Sequence, residues 1–176
     1  MTRKPRPIRI DGDVAYVPLT KGYEAVIDAA DVPLVEGIFW HSAIQKRRDG
    51  TIKAIYARRR IRLPRGEFGT MPLHRVICGA PDGVLVDHVD TDGLNNRRKN
   101  IRQVTFQQNG MNRRGKRNSV SQVKGVCWKG DRKKWRARIT LNGKEIHLGF
   151  FERLEDAAQA YAIASGSMHG EFGRVS

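Results

Sequence analysis

The chain of 176 residues has only two cysteines, Cys78 and Cys127, and they stand in separate segments. They supply neither a zinc knuckle nor a disulfide framework, so both read as bystanders in a reducing compartment. No apolar run approaches the roughly 20 residues a membrane helix needs, so no membrane partner is expected. The opening MTRKPRPIRI is basic and carries prolines where a secretion signal would be apolar, which predicts a soluble, intracellular, cytoplasmic protein. Aromatics make up 7%, and they do not form a stacking platform across adjacent strands, which disfavours RNA. Acids are scarce: 18 Asp and Glu stand against 33 Lys and Arg, a formal charge of +15. That imbalance points to a polyanion as partner. A hydrophobic fraction of 39% allows packed cores, none of them large.

What is present is organised around residues 84–114. Val84, Leu85 and Val86 form a short apolar run that delivers Asp87 and His88 at its end. A polar loop, Thr91 to Asn100, leads to a second run, Ile101 to Thr105. Thr105 with Gln108 three residues on has the capping-box spacing, so a helix carrying Asn109 and Asn112 follows. A carboxylate, an imidazole and a carboxamide are thereby available to one small platform, the minimal equipment for metal-assisted phosphodiester hydrolysis. Asp87 and the Asn109 carbonyl suit a hard divalent cation, which prefers oxygen ligands and keeps waters. His88 faces the other side of its strand from Asp87 and titrates in the right range to deprotonate a water.

Asp87-His88, Asn100 in RRKNIR and Asn109 in QQN resemble the HNH nucleases, whose core is the ββα-metal finger. With LHRVI upstream, DHVD and LNNRRKNIR, the segment from about His74 to Asn112 is similar to the HNH homing endonucleases of phages. The resemblance implies one divalent metal held by Asp87 and Asn109, His88 as general base, Asn100 as brace of the loop, and a phage-encoded enzyme acting in its host cell. Asn109 stands where many HNH enzymes keep histidine, which favours Mg2+ or Mn2+ over zinc or nickel. His74 in LHR stays open between packing, loop bracing and phosphate contact.

Before this core, residues 1–7 read as a basic arm. IRI, AYVPLT and YEAVIDAAD read as strands with turns at Asp11-Gly12 and Lys21-Gly22. Asp31 to Phe39 is expected to make one helical turn capped by Asp31. WHSAIQKRR and TIKAIYARRRIRL form a hairpin around Asp49-Gly50, and its run Arg58-Arg59-Arg60 with Arg62 reads as either a solvated face or a phosphate contact. Leu73, Val76 and Ile77 predict a short helix. In the loop, one of Arg97 and Arg98 is expected to pair with Asp90 or Asp92.

The C-terminal pattern predicts three strands, with Asn142-Gly143 as a hairpin turn, and a helix placing Leu154, Ala157, Ala158, Tyr161 and Ala162 on one side. Between Gly110 and Gly149 twelve Lys or Arg stand against two acids, which concentrates most of the charge here. KGV at 124–126, KWRARI at 134–139, HLGFF at 147–151, EDAAQAYAIA at 155–164 and HGEFG at 169–173 resemble the ethylene-response-factor (Apetala-two) type DNA-binding domain. The resemblance implies a sheet lying in the major groove, with Lys124, Trp128, Lys129, Arg136, Arg138 and His147 as contacts. Arg113 and Arg114 in the basic linker are further candidates. Two departures stand out: Glu152-Arg153 replaces the usual Ser or Thr cap, and Cys127 replaces an arginine, so base preference does not carry over.

The expected class is therefore α+β: an N-terminal antiparallel β region at 1–72, an HNH finger at 73–114, a basic linker at 115–121 and a sheet-plus-helix DNA-binding domain at 122–176. The expected activity is magnesium-dependent cutting of double-stranded DNA by a homing-type endonuclease without a small-molecule cofactor. One finger per chain implies nicking by a monomer, with a dimer needed for a double-strand break. The rival reading is a non-cutting DNA-binding regulator that keeps the finger as scaffold.

Overall fold

The computed structural model describes residues 4–112 and 119–173. The chain divides into two compact units, Met1–Val104 and Thr105–Ser176, and its class is α+β with small antiparallel sheets. Arg113 and Arg114 lie outside the described residues, as does most of the expected linker.

The first unit opens with a meander of β1 (Arg9–Asp11), β2 (Val14–Pro18) and β3 (Glu24–Asp28). Ala15, Val17, Ala25 and Ile27 are buried at alternate positions, as a one-sided sheet requires. A second meander follows: β4 (His41–Lys46), β5 (Ile52–Arg62) and β6 (Phe68–Pro72). The β4–β5 hairpin was legible from its Asp-Gly turn. Strand β6 was not, because FGTMP has no clean alternation; its pairing with Arg58–Arg62 makes it a strand. The short helix α1 (Leu73–Cys78) then buries Leu73 and Ile77, and β7 (Leu85–His88) pairs with β8 (Ile101–Val104). Val17, Ile27, Trp40, Ala57, Leu73, Ile77 and Ile101 share one hydrophobic core, so the N-terminal sheets and the β7–β8 hairpin form one body.

Two local expectations are corrected. Asp31 does not cap a helix: a 3-10 turn spans Ala29–Leu34, with Asp31 inside it and 2% exposed. A buried carboxylate needs a partner, and Arg98 donates to it from Nε at 3.0 and 3.1 Å and from Nη2 at 2.7 Å. Arg97 also pairs internally, with Asp28 and Asp13, both at 2.7 Å. Both loop arginines are thus engaged, and neither pairs with Asp90 or Asp92. The reason lies in the backbone. Val26 N–H donates to Leu94 O at 2.8 Å and Asn96 N–H donates to Val26 O at 2.7 Å, so the loop is stitched beside β3, within reach of its acids.

The second unit begins with α2 (Phe106–Met111), which has the expected capping box: Gln108 N–H donates to Thr105 Oγ1 at 3.2 Å, and Thr105 N–H donates to Gln108 Oε1 at 2.8 Å. Strands β9 (Val126–Lys129), β10 (Lys134–Leu141) and β11 (Lys144–Phe151) form one antiparallel sheet with β10 central. Asn142 and Gly143 both take positive φ, 50° and 76°, as a type I′ hairpin demands. Helix α3 (Leu154–His169) buries Ala157 and Tyr161 as expected, and the buried stripe runs on through Ala164 and Ser165. Val126, Ala137 and Ile139 complete this core. Gly125 explains the KGV triplet: its φ is +73°, and a Cβ there would meet the Tyr161 ring at 2.3 Å. No helix among the described residues is long and apolar enough to cross a membrane.

The Asp28 pairing yields a stability prediction. Burial raises the Asp28 carboxyl, but hydrogen bonds from the Arg97 side chain and the Arg98 N–H outweigh it and hold it below its ordinary 3.8. A depressed folded value contributes stability above the unfolded value and loses it as pH falls through the folded one. Asp28→Asn should therefore cost about 1–3 kcal/mol at neutral pH by urea denaturation, and the gap from wild type should close in strong acid. Equal stability at neutral pH would refute the clamp.

Candidate active site

Strand β7 ends on Asp87 and His88. Successive side chains point to opposite faces, and the register pairs Asp87 with Arg102 and His88 with Ile101. His88 is 5% exposed, on the side of the core. Its Nε2 lies 3.2 Å from Asn96 Oδ1. Asn96 is fully buried, and its Nδ2 donates to the carbonyls of Leu94 at 2.9 Å and Gly93 at 3.5 Å. With both Nδ2 hydrogens turned to carbonyls, Oδ1 is the acceptor facing the ring. His88 therefore carries its proton on Nε2 and its lone pair on Nδ1.

Burial drives the His88 imidazole below its ordinary 6.5, while the Asn96 hydrogen bond and the Asp90, Asp87 and Asp92 carboxylates pull it partly back. The ring is neutral near pH 7, the form that accepts a proton. His74, from α1, packs edge-on to it with ring centroids 4.9 Å apart. Burial, then repulsion from His88, Arg75 and Arg58, pushes His74 down to about 3. Tyr56 of β5 stands 6.0 Å from His88 and 6.1 Å from His74. Gly93 closes the floor: a Cβ there would meet Ile55 O at 2.4 Å and the Tyr56 ring at 2.5 Å, so only glycine permits this approach.

Asn100 sits apart from the histidine. Its Oδ1 accepts from Asp90 N–H at 3.1 Å, and its Nδ2 donates to Asp90 Oδ1 at 2.9 Å and Asn95 O at 2.7 Å. It closes the loop, while Asn96 orients the imidazole. Nothing in the sequence singled out Asn96 for this role. Its signal is faint, since Asn95, Asn96 and Asn100 are chemically alike and only three-dimensional placement separates them. Asp90 itself is raised by burial and lowered more by donors from Asp92 N–H, Asn100 and Asn95. It stays ionised and holds the turn.

Asp87 Oδ2 has the Arg102 guanidinium 3.5 Å away, with both side chains largely buried. Asn109 is carried by α2 in the second unit, where its N–H donates to Thr105 O at 3.0 Å. Among the described residues no group of three His, Cys, Asp or Glu gathers to hold an ion.

In the second unit the register brings Lys129, Arg136, Arg138 and His147 to one sheet face, opposite the Val126 and Ala137 face that meets α3. Trp128 is not among them. It pairs across from Trp135 on the α3 side, edge-on at 5.2 Å. Lys124 turns to the end of α2, donating to Gly110 O at 3.2 Å and to Met111 O. Arg136 and Arg138 both donate to Glu145. His147 stacks obliquely on Phe150, 4.8 Å between centroids.

The profile of the HNH endonuclease family, described as HNH_3, matches residues 72–111. Protein 3.8 of Escherichia phage T7 is 31% identical over 94 residues, covering 53% of this chain and 77% of that protein. An uncharacterized HNH endonuclease of Acanthamoeba polyphaga mimivirus is 33% identical over 112 residues, covering 60% of this chain; the chain spans 57% of that protein's length. No solved structure matches.

Asn96→Ala removes the acceptor facing His88 Nε2 and frees two loop carbonyls. It should cost about 1–3 kcal/mol in urea denaturation and shift the His88 ring signals toward a tautomer mixture by NMR. An unchanged midpoint and an unchanged His88 tautomer would count against the orienting role.

Proposed function

Because the chain belongs to the family of Protein 3.8 of Escherichia phage T7 and carries an HNH endonuclease domain, we propose that it is a homing-type endonuclease that nicks DNA at a divalent metal. The observation that carries this reading is the imidazole of His88, buried at a strand end and held by Asn96 with its lone pair on Nδ1.

In this reading His88 Nδ1 takes a proton from the attacking water, and Asn96 keeps the ring from turning as it does so. Burial supports the role by keeping the resting imidazole neutral. Asp87 and Asn109 are proposed to hold Mg2+ or Mn2+, Asn109 on the strength of the family resemblance. A bound divalent ion supplies Lewis-acid polarisation of the phosphate and stabilises the leaving oxygen. Arg102 beside Asp87 fixes the carboxylate. Asn100 and Asp90 lock the loop that carries Asn96. His74 bounds the ring of His88 from the α1 side.

The second unit is proposed to grip duplex DNA with Lys129, Arg136, Arg138 and His147, which share one face. Charge supports this, since residues 110–149 are strongly basic. One finger per chain favours a nick by a monomer. Homing-type site selection rests on the resemblance of the finger and the C-terminal module together.

Supercoiled plasmid incubated with magnesium should convert to open circle. His88→Ala should slow this by at least about 10²–10⁴-fold, the usual contribution of a general base, while gel-shift affinity stays at the wild-type value. Linear product would indicate paired active sites. Equal cleavage by the variant would remove the base assignment, and no cleavage of DNA that the wild type binds would favour a non-cutting regulator.

A further inference from the structure

The side chains of β5 alternate between two environments. Ala57 belongs to the core on one face. On the other, Tyr56 stands against the rings of His88 and His74. Arg58, Arg60 and Arg62 continue that second face at steps of about 6.6 Å, from half-buried at Arg58 to exposed at Arg60 and Arg62. Strand β6 adds Pro72, Thr70 and Phe68 opposite them. The candidate site is thus one end of a row of guanidinium groups.

Their partners are unlike those of four other arginines. Arg97, Arg98, Arg136 and Arg138 all reach carboxylates. Among the described residues none of Arg58, Arg60 and Arg62 is in an ion pair. Arg60 lies over the Phe68 ring, 3.5 Å from its centroid, and Arg58 Nη1 donates weakly to Thr70 Oγ1 at 3.4 Å. Arg58 Nε is buried with no hydrogen-bond partner. Residues 41–72 contain nine Lys or Arg against two acids, Asp49 and Glu67. Like charges on one sheet face repel. A solvated face would scatter them or intersperse acids. Here they are aligned, Arg60 over an aromatic and Arg58 beside a hydroxyl, and left without anions.

We propose that this face of β5 is a phosphate track, along which Arg58, Arg60 and Arg62 bind successive phosphates of one strand of duplex DNA and lead it to His88. The choice of DNA rests on the nuclease reading above. The track is separate from the sheet of the second unit, and its contacts are with the backbone, so it adds affinity without sequence preference.

The test is binding of the full chain to a short duplex in EDTA across a salt series, where no cutting occurs. Each phosphate contact contributes about 0.9 to the slope of log K against log salt. Arg60→Gln/Arg62→Gln should flatten the slope by about 2 and weaken binding equally on unrelated sequences. Arg60→Lys/Arg62→Lys should keep the wild-type slope. Both arginines are exposed, and unchanged melting of the Gln pair confirms its fold. An unchanged slope in the Gln pair overturns the track, even if the wild type nicks plasmid. An equal fall in the charge control Arg9→Gln/Lys21→Gln overturns it too, since net charge alone would then explain the effect. A chain that binds no duplex overturns both the track and the nuclease reading. A flattened slope in a chain that binds but never cuts upholds the track and removes only the nuclease reading.

Discussion

The backbone pairing of Val26 with the loop that carries Asn95 and Asn96 is the constraint on which the first unit depends. Two hydrogen bonds fix the loop beside β3, and every later feature of the site follows from that docking. Arg97 and Arg98 fall onto Asp13, Asp28 and Asp31 because the loop runs past them. Asn96 falls under His88, and Gly93 falls flat on Tyr56. The N-terminal sheets serve the finger as the surface against which its loop is shaped.

Charge is divided by the same architecture. Arg97 and Arg98 have carboxylate partners, and their contribution is positional. Arg97 and Arg98 clamp the loop; Arg136 and Arg138 share Glu145. The row on β5 has no such partner among the described residues. A formal charge of +15 is therefore not one uniform field. It is the remainder after internal pairs are removed, and that remainder is concentrated where no acid was placed.

Much of this was legible before any coordinates. The capping box at Thr105, the Asn142-Gly143 turn, the α1 helix and the alternation of β10 all rest on local chemistry, and local chemistry is what a sequence displays. The α+β class followed from them. What was hidden is what depends on distance along the chain. Asp31 looked like a helix cap because Asp commonly is one, and only a partner 67 positions away makes it a buried anion. Strand β6 has no pattern of its own and exists because β5 offers an edge. Asn96 and Asn100 are the same residue type in the same loop; one meets the imidazole and the other the turn. For Trp128, the family resemblance implied a DNA contact, and its register with Trp135 puts it on the helix side of the sheet, where it stays exposed.

The stitch between β3 and the loop also has a kinetic meaning. Arg97 and Asp28 are 69 positions apart, so the contact closes a long segment of chain, and such closures slow folding. The three strands β1–β3 form a local meander, each paired with its neighbour in sequence. The loop docks on the β3 edge. Until the loop docks there, Asn96 has no fixed place and His88 has no fixed tautomer, so an undocked chain holds the histidine without its orienting partner.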